Sequence, residues 1–174
     1  NNEIHISKTF AGKKYELDKE IITDPKTEKW SYSEIALRIA NGSIVGWFQD
    51  KSESGNRALG NRSILADPRN PEIKDIINHT IKMREDFRPF APAVLEEHYQ
   101  EYFDTRCPSP YMSRICKVKP DKIDKIPGVT HIDGTARIQT VNEEFNPKFY
   151  RIINEFYKLT GVPMLLNTSF NCQE

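Results

Sequence analysis

The chain has 174 residues, 37% apolar and 29% charged, with a formal net charge of zero. That length suits one domain with a real hydrophobic core, and the charge balance excludes a nucleic-acid binder held by a broad basic surface. No apolar run reaches the roughly 18 residues of a membrane-crossing helix, and no signal-peptide pattern stands at the first residues.

Residues 1–30 are polar and irregular, with a turn at Asp24-Pro25-Lys26, and read as a linker into a domain over residues 31–174. Ser31 or Ser33 is predicted to cap a helix carrying Ile35, Ala36, Leu37, Ile39 and Ala40, which ends at Asn41-Gly42. The run Ile44 to Gln49 is short, β-branched and aromatic, and reads as a buried strand. A Gly-rich loop, RALGNRS, follows, and ILADP after it reads as a second extended piece. Pro71 opens a predicted helix with Ile73, Ile76, Ile77 and Thr80 on one face. From Lys82 onward, KMREDFRPFAPAVLEE reads as extended, because Pro89 and Pro92 forbid a continuous helix.

Tyr111 to Val118 alternates like a strand, and Lys117 to Lys125 reads as a solvated charged loop around Pro120. Gly128 to Val141 reads as two strands joined at Asp133-Gly134, a hairpin turn pair. Pro147 begins an amphipathic helix with Phe149, Ile152, Ile153, Phe156, Tyr157 and Leu159 at helical spacing, closed by Gly161. Its apolar stripe is a core face. Val162 to Leu166 is the last predicted strand, and it runs into Asn167-Thr168-Ser169-Phe170-Asn171. Together these elements predict an α/β fold, a mixed sheet flanked by helices in a single domain. The chain stops three residues after Asn171 without a capping feature, which reads as a truncation.

Cys107, Cys116 and Cys172 lack any metal or disulfide framework and read as free thiols of a reducing cytoplasm. His5, His79, His98 and His131 are scattered, so no metal site is predicted. The informative stretch runs from Glu53 to Pro92. It sets Arg57, Arg62, Lys82, Arg84 and Arg88 beside Gly55, Gly60, Phe87 and Phe90. Arg offers a planar fork of donors, and Gly lets the backbone approach the same anion. A phosphate or nucleotide pocket follows; the plainer alternative is a basic surface loop. Two spacings point the same way. Lys82-Met83-Arg84 and Ser169-Phe170-Asn171 each place two polar groups on one face of an extended chain. A point charge, a bidentate fork, a hydroxyl and an amide can together orient a triphosphate or a small polar acyl group.

Lys-x-Arg followed far downstream by Ser-x-Asn resembles the signature of YrdC-like domains. The longer strings ESGNRALGNRSILADPR, KMREDFRPFAPAV, THIDGTARIQTV and TGVPMLLNTSFN resemble the C-terminal domain of the NodU/CmcH carbamoyltransferases, from about Ile44 to the end. The resemblance implies a YrdC-like twisted sheet that uses ATP, with Mg2+, and carbamoyl phosphate to form carbamoyl-adenylate. An N-terminal actin-like domain holding a metal ion, absent from this chain, would then pass the carbamoyl group to a hydroxyl of a small-molecule acceptor. By similarity Lys82, Arg84, Ser169 and Asn171 contact nucleotide and carbamoyl groups, with Arg57 and Arg137 as further anion contacts. Arg62 and Arg88 are additional candidates, each able instead to pin a loop through a carboxylate such as Glu53 or Asp67. His131 and Asp133 either orient Arg137 or stabilise the predicted hairpin. The family reads Gly near Asp50 and Pro at Asn56, so this chain departs from it just before the cationic loop.

Two other functions compete. Threonylcarbamoyl-adenylate synthesis for tRNA modification belongs to stand-alone YrdC relatives, whereas RALGNRS and TGVPMLLNTSFN resemble the O-carbamoyltransferases. A non-catalytic RNA-binding module would show a steep salt dependence, and zero net charge argues against it.

Overall fold

The computed structural model describes residues 31–85 and 87–171. The linker read into residues 1–30, and Cys172, lie outside these. The first helix, α1 (Tyr32–Ala40), starts where its cap dictates. The Ser31 hydroxyl accepts from the Glu34 amide, and the Glu34 carboxylate accepts from the Ser31 amide, closing a capping box. A bond from the Ser31 hydroxyl to the same carboxylate (2.7 Å), with that from the Ser31 amide, holds the Glu34 carboxyl below its usual range. Ala36 and Ile39 are the residues α1 buries.

Among the described residues seven strands follow: β1 (Val45–Phe48), β2 (Arg62–Ala66), β3 (Ala91–Leu95), β4 (Phe103–Asp104), β5 (Arg114–Val118), β6 (Thr135–Val141) and β7 (Met164–Ser169). They form one mixed sheet in the order β1-β2-β7-β3-β6-β5-β4. Among the described residues β3 and β6 pair in parallel and the other neighbours antiparallel. In β2, β3, β6 and β7 residues are buried in consecutive positions, as expected of strands covered on both faces. The predicted class, an α/β mixed sheet flanked by helices, is the observed one.

The longest helix, α4 (Pro147–Thr160), runs from Asn146, whose side chain caps the Phe149 amide, to Gly161 at φ 72°. Phe149, Ile152, Ile153 and Phe156 are fully buried, and the helix packs on α1, β3 and β7. Burying each such side chain contributes roughly 1.5–3 kcal/mol. The stripe is narrower than its sequence pattern, because Leu159 is half exposed.

Several expectations need correction. β1 is an edge strand whose residues alternate between half-buried and exposed, so it is not a buried strand. The helix after Pro71 is short: α2 (Ile73–Ile77) buries Ile73 and Ile77 but leaves Ile76 and Thr80 to solvent, the Thr80 hydroxyl donating to the Ile76 carbonyl. Asn78–Lys82 then form a π-helical turn that ends at Met83 in the left-handed region (φ 47°). Lys82 and Arg84 are therefore not alternate residues of an extended chain. The Gly128 to Val141 hairpin is also absent. Pro127–Val129 is a 3-10 turn, Asp133-Gly134 leads into the single strand β6, and the antiparallel partner of β6 is β5. β5 in turn begins only at Arg114, since Met112 (φ 52°) interrupts the extended run, and much of the charged loop is a 3-10 helix, Pro120–Lys125.

The remaining short elements are a 3-10 turn at Glu96–His98 and α3 (Tyr99–Tyr102). Cys107 and Cys116 are free thiols, as expected. Among the described residues no helix is long and apolar enough to cross a membrane, and no group of three or more His, Cys, Asp and Glu side chains could hold a metal ion.

Candidate functional site

The loop between β1 and β2 is tied down by buried amides. Gln49 donates to Asn61 Oδ1 at 2.8 Å and to Asn146 Oδ1 at 2.7 Å. Asn167 donates to Ala58 O and Gln139 Oε1, and Gln139 donates to Leu59 O. One carboxylate oxygen of Glu53 accepts the amides of Leu59, Asn61 and Arg62. At Gly60 the backbone has φ 105°, and an added Cβ would collide with the Phe149 ring. The loop is thus pinned to the cap of α4 and to β6 and β7. Buried polar groups that are satisfied in this way cost little and hold one conformation.

Beside this loop lies a cavity of about 320 Å³, near the lower end of the range for small-ligand sites. Arg57, Arg84, Arg88 and Arg137 line it, together with Ser169, His131 and Asn167. They arrive from the β1–β2 loop, the segment after the π turn, β6, the turn before it, and β7. No Asp or Glu is among its described lining residues. Arg84 is steadied by a bond from its Nε to Asn78 Oδ1 (2.9 Å) and lies 5.0 Å from the Phe90 ring centroid. Arg88 Nε lies 3.2 Å from the Glu85 carboxylate. Four arginines around one small cavity are chemically suited to an anion, because each offers paired donors to phosphoryl or carboxylate oxygens.

The eight residues expected at the site divide into three groups. Arg57, Arg84, Arg88, Arg137 and Ser169 line the cavity. Lys82 and Asn171 stand behind Ser169. The buried Lys82 ammonium donates to Ser169 O (2.5 Å), Ser169 Oγ (3.0 Å), Asn171 O (2.8 Å) and Asn171 Oδ1 (2.8 Å), and the Ser169 hydroxyl bonds to Asn171 Oδ1. Arg62 is placed elsewhere. Its guanidinium donates to the carbonyls of Gln49, Asn61 and Asp50 and stacks 3.5 Å from the Phe48 ring centroid. It pins a loop, as the alternative held, but through carbonyls: Glu53 binds backbone amides and Asp67 pairs with Arg69 at 2.6 Å.

His131 and Asp133 organise the turn into β6. Asp133 Oδ1 accepts the amide and hydroxyl of Thr135, and His131 Nδ1 lies 3.1 Å from Thr135 Oγ1. The same bonds from Thr135 hold the Asp133 carboxyl below its usual range.

Residues 36–174 match the family described as Carbamoyltransferase C-terminus. The chain belongs to that family. It is 53% identical over 142 residues to Nodulation protein NolNO of Sinorhizobium fredii, covering 80% of this chain and 21% of that protein. Nodulation protein NolO of Bradyrhizobium diazoefficiens is 52% identical over 136 residues, 76% of this chain and 25% of its own length. Nodulation protein U of Rhizobium tropici is 42% identical over 141 residues, 81% and 24% respectively. The chain spans only about a fifth to a quarter of these relatives.

Asp50, where the resemblance implies Gly, has an unusual backbone conformation. Asp50 sits at φ 43°, in the left-handed region where Gly carries no Cβ penalty. Its carboxylate instead pairs with Lys148 at 2.6 Å, both side chains about half exposed, a contact of small net value. Asn56 lines the cavity directly. Asn167 and Thr168 also line it, and Asn167 was not singled out from the sequence. The available signal was an amide directly after the apolar run of Met164, Leu165 and Leu166 in a strand.

Proposed function

We propose that this domain binds ATP and carbamoyl phosphate and forms carbamoyl-adenylate for transfer to a hydroxyl of a small-molecule acceptor. The observation that carries this is the convergence of Arg57, Arg84, Arg88 and Arg137, from three parts of the chain, on one cavity, with Arg88 ion-paired to Glu85. Membership of the carbamoyltransferase family supports the carbamoyl chemistry. Carbamoyl phosphate yields carbamate by giving up its phosphate to water. A carbamate oxygen then attacks the α-phosphorus of ATP, the bond to the β-phosphate oxygen breaks, and pyrophosphate leaves with the electron pair. Negative charge shifts between phosphoryl oxygens throughout, so fixed cations lower the barrier without a protein nucleophile.

In this account the four arginines hold phosphoryl oxygens and Ser169 offers a hydroxyl at the cavity wall. Lys82 and Asn171 set the position of Ser169. The described lining has no oxygen ligand set suited to Mg2+, which favours carboxylates and water, and no step is assigned to it. Delivery to the acceptor belongs to a separate metal-binding, actin-like domain of the parent protein, in the cytoplasm.

Calorimetric titration with ATP tests the binding step. Arg84→Ala and Arg137→Ala are each expected to weaken ATP affinity about tenfold or more, the loss of a charge-assisted contact. Absence of ATP binding, or equal affinity in all three proteins, overturns the assignment. Pyrophosphate release with carbamoyl phosphate, but not with threonine and bicarbonate, distinguishes the reaction from threonylcarbamoyl-adenylate synthesis.

A further inference from the structure

In a wall otherwise rich in donors, two buried acceptor atoms lack a partner among the described residues: His131 Nε2 and Asn167 Oδ1. Both side chains line the arginine cavity, and both are locked. Asn167 is almost fully buried (1% exposed), and its amide nitrogen donates to Ala58 O at 3.0 Å and Gln139 Oε1 at 2.9 Å, which leaves Oδ1 as the unsatisfied end. For His131 the tautomer follows from the neighbouring bonds. The Asp133 carboxylate can only accept, so the Thr135 hydroxyl proton points to it at 2.7 Å. Thr135 Oγ1 is then the acceptor for His131 Nδ1–H, at 3.1 Å, and Nε2 carries a lone pair. Burial holds the imidazole below its ordinary pKa, with Lys74 and Arg137 acting in the same sense and Asp133 against it, which favours the neutral, accepting form.

A buried acceptor without a donor costs roughly 1–3 kcal/mol, so two in one wall call for a ligand that brings N–H groups. Resting on the carbamoyl phosphate reading above, we propose that His131 and Asn167 accept the two N–H bonds of the carbamoyl amino group and so select carbamoyl phosphate against its methyl counterpart, acetyl phosphate. The geometry favours the carbamoyl group over the adenine amino group. In carbamoyl phosphate the NH2 is separated from the phosphorus by a carbonyl carbon and one bridging oxygen, so it stays beside the arginines that hold the phosphoryl oxygens. In ATP the adenine amino group lies beyond the ribose. Acetyl phosphate has the same shape and charge but carries three C–H bonds there, and would leave both acceptors unpaired.

The test is competitive binding of carbamoyl phosphate, acetyl phosphate and inorganic phosphate to the chain and to His131→Phe. The wild type is expected to prefer carbamoyl over acetyl phosphate by about tenfold or more. His131→Phe is expected to lose most of that ratio while keeping its affinity for inorganic phosphate. A measurement on the unmodified chain stands beside the variant. The 15N resonance of His131 Nε2 is expected to be that of an unprotonated nitrogen, and to shift upfield with carbamoyl phosphate but not with acetyl phosphate. Equal affinity for the two acyl phosphates, an unchanged ratio in His131→Phe, or an Nε2 resonance indifferent to carbamoyl phosphate overturns the proposal and leaves the anion pocket intact. Failure of all three phosphates to bind overturns the pocket itself, and the selection with it.

Discussion

The ammonium of Lys82 lies 3.0 Å from the hydroxyl of Ser169, a residue 87 positions further along the chain. It also donates to both oxygens of Asn171 and to the Ser169 carbonyl, so one cation gathers the whole end of β7. Lys82→Met keeps the stem and removes the donor. Its expected effect is a loss of about 2 kcal/mol in urea unfolding, the usual range for hydrogen bonds to a charged group, with faster amide exchange at residues 167–171. An unchanged midpoint with normal exchange would show that β7 ends in place without this cation.

Arg62 and Arg84 are expected to separate cleanly. Arg62 grips three carbonyls at 2.6 to 2.9 Å, a fan of bonds that a lysine cannot copy. Arg62→Lys is expected to lower stability by about 2 kcal/mol with less effect on ATP affinity than Arg84→Ala. A drop in ATP affinity matching that of Arg84→Ala, at unchanged stability, would move Arg62 into the binding set.

Gly60 admits no side chain. A methyl group there meets the Phe149 ring while the backbone holds φ 105°. Gly60→Ala is expected to cost at least about 2 kcal/mol through overpacking and left-handed strain. The same change at Gly134, also at positive φ but with open space around its Cβ position, is expected to cost less. Comparing the two thermal midpoints checks this, and equal losses would count against the clash.

The pH response of stability should carry the mark of His131. Its folded pKa lies below 6.5, the unfolded reference, because burial penalises the imidazolium. Between those values the unfolded chain binds the extra proton. The contribution is therefore complete above about pH 6.5 and is lost as the pH falls toward the folded pKa. Asp133, whose folded pKa is depressed below 3.8, loses its contribution only at more acid pH. Urea midpoints at pH 7.5 and 5.0 are expected to differ less in His131→Phe than in the wild type. Equal differences in the two proteins would contradict a desolvated imidazole.

How much of this was legible in the sequence depended on range. α1 and α4 announce themselves locally, through a serine at 31 or 33 before one helix, which the structure resolves to Ser31, and through Pro147, the apolar period and Gly161 in the other. The concentration of arginines between Glu53 and Pro92 was equally visible, and three of them, Arg57, Arg84 and Arg88, meet Arg137 at one cavity. What failed was anything decided by distant partners. The π turn at Lys82 and the left-handed Met83 cannot be inferred from KMR alone, since the ammonium is bound by residues from the end of β7. The supposed hairpin at Asp133-Gly134 gave way because β6 finds its neighbours in β3 and β5. Arg62 looked like Arg57 because the carbonyls it grips have no signature in a one-dimensional string. The accepting atoms of His131 and Asn167 were hidden for a related reason: an unsatisfied lone pair exists only once its surroundings are closed.

The position of β7 has a consequence for assembly. It is the last of the seven strands along the chain, yet it lies between β2 and β3 and hydrogen-bonds to both. Without it, β1 and β2 would make one ribbon and β3 to β6 another, with no strand pairing between the two among the described residues. Closing the single sheet therefore depends on pairings between strands far apart in sequence, a long-range step that leaves the facing edges of β2 and β3 open until it is made.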